Sequence, residues 1–541
     1  MSAKTTIYSA RKIITMLAAR PEATHVAVRD GHVLGIGDLD ELTGWGDYDL
    51  DETFADKVIM PGFVEGHCHT LEGALWKYVY VGSFDRTGPD GRRWPGVKTI
   101  DQVVERLREA DTGEGPVVGW GFDPIYFTGR RMAKADLDKV ATDRPVVVLH
   151  ASCHLLNANS FVLDAGGVTA DTNVPGVLKG DDGEPTGELQ EMAAMFLAFE
   201  VSGFNLFEEI GTEESLLAFA QVCHRSGVTT ATDLYAHLTP DAVAMMQDVT
   251  PRDDFPIRLV PAYGALNDTP EAGAELVSRM KGESTDKLRF GIVKMMTDGS
   301  IQGFTARLRW PGYFNGAPNG IWNAPPEELV RAFHVFHDAG LQIHMHTNGD
   351  EASELMLGAI ESGINKNPRP DHRHTLQHAQ LMDEALLRRA GAMGVCVTMF
   401  ANHLYYWGEE HVAQTMGPER AHRMEPFATA QRCGVAYAMH SDAPVTPMGP
   451  LFTAWCAVER QTAEGRVLGE AEKIGVEDAL RAITLGAAYT LKMDHEVGSI
   501  ETGKRADFVI LEDDPLSVPS AELKDVAVWG TVLGGQVQPV A

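Results

Sequence analysis

The sequence predicts a (β/α)8 barrel, joined to a small β-sandwich built from both chain ends and to an inserted α/β subdomain. Three observations predict it. Short apolar runs alternate with amphipathic helical stretches along the second half of the chain, hairpin patterns occupy both termini, and His or Asp residues end several of the apolar runs. At 541 residues the chain exceeds what one hydrophobic core usually organises.

In chain order, residues 6–8, 24–28 and 32–36 read as short strands, and Asp30-Gly31 is a hairpin turn signal. Residues 507–511, 526–529 and 532–537 repeat the pattern around Gly534-Gly535. Each half has too few strands to stand alone, so residues 1–56 and 497–541 are expected to close one sandwich. The apolar run from Val58 to Val64 follows, interrupted by Pro61-Gly62, and it is expected to open the barrel. Residues 76–207 break the strand-helix rhythm, with Trp120-Gly-Phe122, residues 145–150 and the polar loop 179–186, and are read as the insertion. Further strands are predicted at 228–234, 257–263, 288–296, 341–347, 373–379, 395–399 and 435–439, separated by helical stretches such as 326–339 and 351–362. With the run at Val58 these make eight, so residues 57–75 and 208–496 form the barrel, whose chemistry belongs at the C-terminal ends of its strands.

Composition narrows the function. Lys and Arg number 46 against 76 Asp and Glu, a formal charge of −30 that disfavours nucleic acid and anionic membrane surfaces as partners. The first ten residues carry no apolar signal segment, and no run of 18 apolar residues occurs, so a cytoplasmic location is expected. Six scattered cysteines without a Cys-x-x-Cys pair are read as reduced and mostly buried. Assembly into a homo-oligomer is compatible with a barrel, but no stretch specifies it.

The strand ends carry the chemistry. His67 and His69 lie two residues apart, so strand alternation points both imidazoles to one face, where they suit zinc, iron, nickel or copper. Lys294 interrupts the apolar fourth strand; an ammonium there costs several kcal/mol unless it is paired in the core or has reacted with carbon dioxide to give a carbamate that bridges cations. The fifth strand carries His344 and His346 and the sixth His374 and His378, even spacings that leave the choice within each pair open. Asp442 follows the eighth strand, where a carboxylate can ligate a cation or move a proton.

These residues lie in a longer ordered series: Pro61-Gly-Phe-Val-Glu-Gly-His-Cys-His69, Gly119-Trp-Gly-Phe-Asp123, Val293-Lys-Met-Met-Thr-Asp-Gly299, His346-Thr-Asn-Gly-Asp350, His378-Ala-Gln380, Ser441-Asp-Ala-Pro444 and residues 498–507. The series resembles the amidohydrolase superfamily of metal-dependent hydrolases, in its YtcJ-like branch. The resemblance implies one or two divalent ions, zinc first among them. It places His67, His69 and Asp442 on one ion, with Lys294 as an N6-carboxylated bridge to a second held by His346 and His378. It implies hydrolysis of an amide carbon–nitrogen bond by a water activated at the metal, with Asp442 as the proton shuttle and N-substituted formamides as the nearest precedent. Cyclic amides, carbamates and larger acyl amides are the alternatives. A deaminase of the superfamily would carry Glu where Gly349 stands, and a dead scaffold would lack ligands that are all present here. Two departures are Gln377 where the family usually has Glu, and Met399-Phe-Ala-Asn-His403 where strand seven usually ends near Gln-Pro. Aromatic residues Phe304, Trp310, Phe400 and His403, with Trp120 and His154 from the insertion, are the candidate contacts to a small hydrophobic amide.

Overall fold

The computed structural model describes residues 4–127 and 130–540. The chain divides into two compact units, one of residues 1–69, 223–442 and 448–541, the other of residues 70–222 and 443–447. The second therefore begins and ends outside the expected 76–207, and takes in a short segment just after Asp442.

The first unit contains eight parallel strands hydrogen-bonded in chain order: β1 (Phe63–Glu65), β2 (Val228–Ala236), β3 (Arg258–Gly264), β4 (Ile292–Met296), β5 (Gln342–Thr347), β6 (Thr375–His378), β7 (Cys396–Met399) and β8 (Tyr437–Met439). Their residues are buried almost throughout, as expected where helices cover a parallel sheet. Between β8 and β1 the ring is completed by side chains and one backbone bond. The Asp442 amide donates to the His67 carbonyl at 3.1 Å, and Glu65 accepts from the Ser441 amide and hydroxyl at 3.1 and 3.0 Å. Helix boundaries follow local chemistry: Glu384–Met393 starts where Asp383 accepts from the Leu386 amide and stops at Gly394, whose φ of 69° only glycine adopts without cost.

The expectation that Val58 opens the barrel is corrected. Val58, Ile59 and Met60 end a long strand, Tyr48–Pro61, that pairs antiparallel with Phe508–Leu511 in the terminal sheet. The chain changes sheets across Gly62, whose amide donates to the Asp507 carbonyl at 3.0 Å while the next amide, of Phe63, donates to Gly227 at 3.1 Å. A Cβ at Gly62 would sit 2.1 Å from Thr229 Oγ1, so the crossing requires glycine.

The terminal strands form one seven-stranded sheet rather than two separate ones. Val28 and Val33 near one edge share a core with Phe508 and Val532 near the other, so the sheet curls on itself and supplies both layers of the sandwich. The predicted turn at Asp30-Gly31 has φ of 51° and 74° there, the double left-handed geometry of a tight hairpin. Arg258, at the start of β3, ties barrel to sandwich by donating to both Asp507 oxygens at 2.6 and 3.0 Å. Both side chains are buried. Arg258→Ala leaves that carboxylate with only the Gly534 amide, at 2.8 Å, and is expected to cost about 3 kcal/mol, read as a lower urea midpoint.

The second unit is built on a six-stranded sheet with a core on each face. Val147 and Leu149 point to one core and Val146 and Val148 to the other, the period of two of a fully buried strand. All six cysteines are free thiols. No helix among the described residues is long and apolar enough to cross a membrane.

Candidate metal centre

Residues at the C-terminal ends of β1, β4, β5, β6 and β8 converge. Asp442 Oδ1 lies 3.2 Å from His67 Nε2 and 3.3 Å from His69 Nε2. His346 Nδ1 and His378 Nε2 lie 3.0 Å apart. Lys294 Nζ stands 3.3 Å from His67 Nε2, and the residue is 1% exposed. His378 and Asp442 take left-handed backbone, φ 68° and 54°, a strained conformation that is common where a strand end must aim a functional side chain.

The donor set fits divalent cations. Two ligands about 2.0–2.1 Å from a tetrahedral zinc lie about 3.3 Å from each other, close to the separations around Asp442 and between His346 and His378. Asp442 Oδ1 is buried without a hydrogen-bond partner, so this ligand atom is unspent. Electrostatics point the same way. Burial alone pulls His69 down, but the Asp233 and Asp442 carboxylates beside it, at 3.8 and 3.3 Å, outweigh it and push its pKa up to about 9. Burial pushes the Lys294 ammonium down to about 7, which brings the neutral amine within reach.

The two members of each His pair lie at different depths in the barrel. His344 lies one layer below, its Nε2 donating to the Thr490 carbonyl at 3.1 Å. His374 is deeper still, paired with His337 at 2.9 Å and accepting from the Ile343 amide.

Residues beyond the six expected ligands also belong to the site. His440 brings its nitrogens within 4.8 Å of those of His67 and His378. Its ring stacks on His67 at 4.6 Å and 19°, and both its nitrogens are buried without a hydrogen-bond partner. Asp298 lies 3.6 Å from His346 Nε2 and accepts from the amides of Arg307, Asn348 and Gly349, pinning the loop after β4 to the tip of β5. Burial outweighs those three bonds and pushes its carboxyl up to about 7. Asp298 stands in the stretch 293–299 already singled out, His440 between the predicted strand 435–439 and Ser441, and their spacing from Lys294 and Asp442 was the available signal.

The aromatic candidates divide. Phe400 faces the centre, 5.9 Å from the His378 ring and 4.7 Å from His440, with its amide held by Glu425 at 3.0 Å. His403 packs on Phe400 at 4.7 Å and bonds His411 at 3.0 Å. Phe304 packs on Tyr313 within the loop after β4, and Trp310 on the same loop is 94% exposed. Trp120 and His154 lie in the second unit. Trp120 is buried between Trp76 and Tyr80, 5.0 Å from each, under the Arg86 guanidinium at 4.9 Å. His154 Nδ1 is 3.0 Å from a Glu191 oxygen.

Comparison with known proteins agrees with this geometry. The model of the amidohydrolase family matches residues 55–538. The chain is similar to putative amidohydrolase YtcJ of Bacillus subtilis, 28% identical over 97% of both chains. It is also similar to N-substituted formamide deformylase of Arthrobacter pascens, 25% identical over 95% of this chain and 94% of that one. Its fold matches a solved metal-dependent hydrolase of Pyrococcus horikoshii with a TM-score of 0.73 at 19% identity, covering 96% of this chain and 99% of the other.

Proposed function

The chain belongs to the amidohydrolase family, hydrolases of carbon–nitrogen bonds, and from that premise we propose that it cleaves the amide bond of a small substrate carrying a hydrophobic or aryl substituent. The observation that carries the reading is the convergence of His67, His69 and Asp442, with His346, His378 and Lys294 beside them. The formamide deformylase among the relatives supports N-substituted formamides as the first class to try.

Two divalent cations, zinc first, held by those six residues would lower the pKa of water towards ~7 and polarise the scissile carbonyl. The rest falls to the chain. Lys294 would join the ligands once its neutral amine has added to the carbon of carbon dioxide: the N–C bond forms as one C=O π pair moves onto oxygen, Nζ gives a proton to solvent, and the product is an anionic carbamate. Asp442 takes the proton of the attacking water on the carboxylate oxygen that does not face the cation site and delivers it to the amide nitrogen as the C–N bond breaks. Phe400 offers the apolar wall nearest the centre and would hold the N-substituent.

The test is release of formate and amine from N-benzylformamide, with and without a chelator. Release that the chelator abolishes and added zinc restores is expected. Chelator-insensitive release, or none from any formamide or larger acyl amide by the metal-loaded enzyme, would overturn the reading.

A further inference from the structure

Gln377 stands on β6, fully buried between two imidazoles. Its Oε1 lies 2.8 Å from His67 Nδ1, and its Nε2 lies 2.7 Å from His344 Nδ1. His344 Nε2 in turn lies 3.1 Å from the Thr490 carbonyl.

The polarity of this chain is the same from either end. A carbonyl only accepts, so the proton on His344 sits on Nε2, leaving Nδ1 to accept from the Gln377 amide N–H. The amide oxygen must then face His67 and accept from its Nδ1–H. From the other end, a cation beside Asp442 needs a bare Nε2 on His67, which again puts the proton on Nδ1. Flipping the Gln377 amide would set its N–H against His67 Nδ1, and move the His67 proton onto the nitrogen that faces Asp442 and Lys294. It would also leave His344 Nε2 without a proton opposite a carbonyl.

We infer that Gln377 is a positioning residue: it holds His67 in the tautomer whose Nε2 lone pair faces the cation site, through a one-way chain of hydrogen bonds anchored on the Thr490 carbonyl. Partners of this kind fix ring orientation and ligand basicity. A glutamate could accept from His67 equally well, but it has no N–H for His344 and would need one extra buried proton. The glutamine lets both imidazoles and the residue between them stay neutral in a pocket where every charge must be desolvated.

The inference rests on the site's being a metal centre and not on any substrate, so it is tested by metal binding. Zinc affinity would be measured by competition with a chromophoric chelator. Gln377→Leu, which keeps the volume and removes both bonds, is expected to bind zinc about 10- to 100-fold more weakly than the native enzyme. Gln377→Glu is expected to recover most of that loss. Leu binding zinc as tightly as Gln, or Glu as weak as Leu, would overturn the role. A second measurement needs no variant: in metal-free native enzyme with 15N-labelled histidine rings, His67 is expected to carry its proton on Nδ1. A proton on Nε2 would overturn the inference however the variants fold. If the tautomer is as inferred and no amide is cleaved, the substrate assignment fails while this one stands.

Discussion

Asp442→Asn is expected to lower kcat/KM by about three orders of magnitude while leaving bound metal within a few-fold of the native level. The carboxylate sits between His67 and His69, where its Oδ1 has no hydrogen bond. An asparagine oxygen still coordinates, though more weakly, and His67 and His69 remain. What it cannot do is accept a proton from the attacking water and pass it to the leaving nitrogen, so the loss falls on kcat rather than KM. Metal content and turnover measured on one preparation separate the two roles; their falling in parallel would make Asp442 a ligand without a proton-transfer function.

Lys294→Ala is expected to lower turnover at least as far and to remove one bound ion. Its side chain is buried on β4, 3.3 Å from His67 and in register with His344 on β5. No alanine can supply the two oxygens that a carbamate would place between the ions. A short carboxylate such as acetate or propionate, added at high concentration, should enter the space left and restore part of the activity. Rescue by carboxylates, absent with chloride or an alkylamine, is the specific signature; rescue by an alkylamine instead would show that the lysine acts as a cation.

His67 and His69 were legible as a pair from their two-residue spacing, although β1 ends at Glu65 and both lie in the irregular segment beyond it, and the rest of the ligand set was what the family resemblance implied. Spacing alone could not choose between His344 and His346, which share a face. They differ by about 6.6 Å along the strand, and only the upper layer reaches the cation, a distinction that needs the barrel's register. Gln377 and Asp298 were hidden for another reason. Their roles lie in partners remote in sequence, His67 lying 310 positions from Gln377. The terminal sheet misled at one point, since residues 58–64 contain enough apolar side chains for a single strand, and only Gly62, packed against Thr229, reveals that two sheets meet there.

Elemental analysis of the purified, zinc-reconstituted enzyme beside a His67→Asn, His69→Asn double variant tests the metal centre most directly. One or two divalent ions per native chain, with at least one lost in a variant that keeps its thermal unfolding profile, is the result predicted. A native chain without bound metal, or a double variant holding as much as the native, would contradict it.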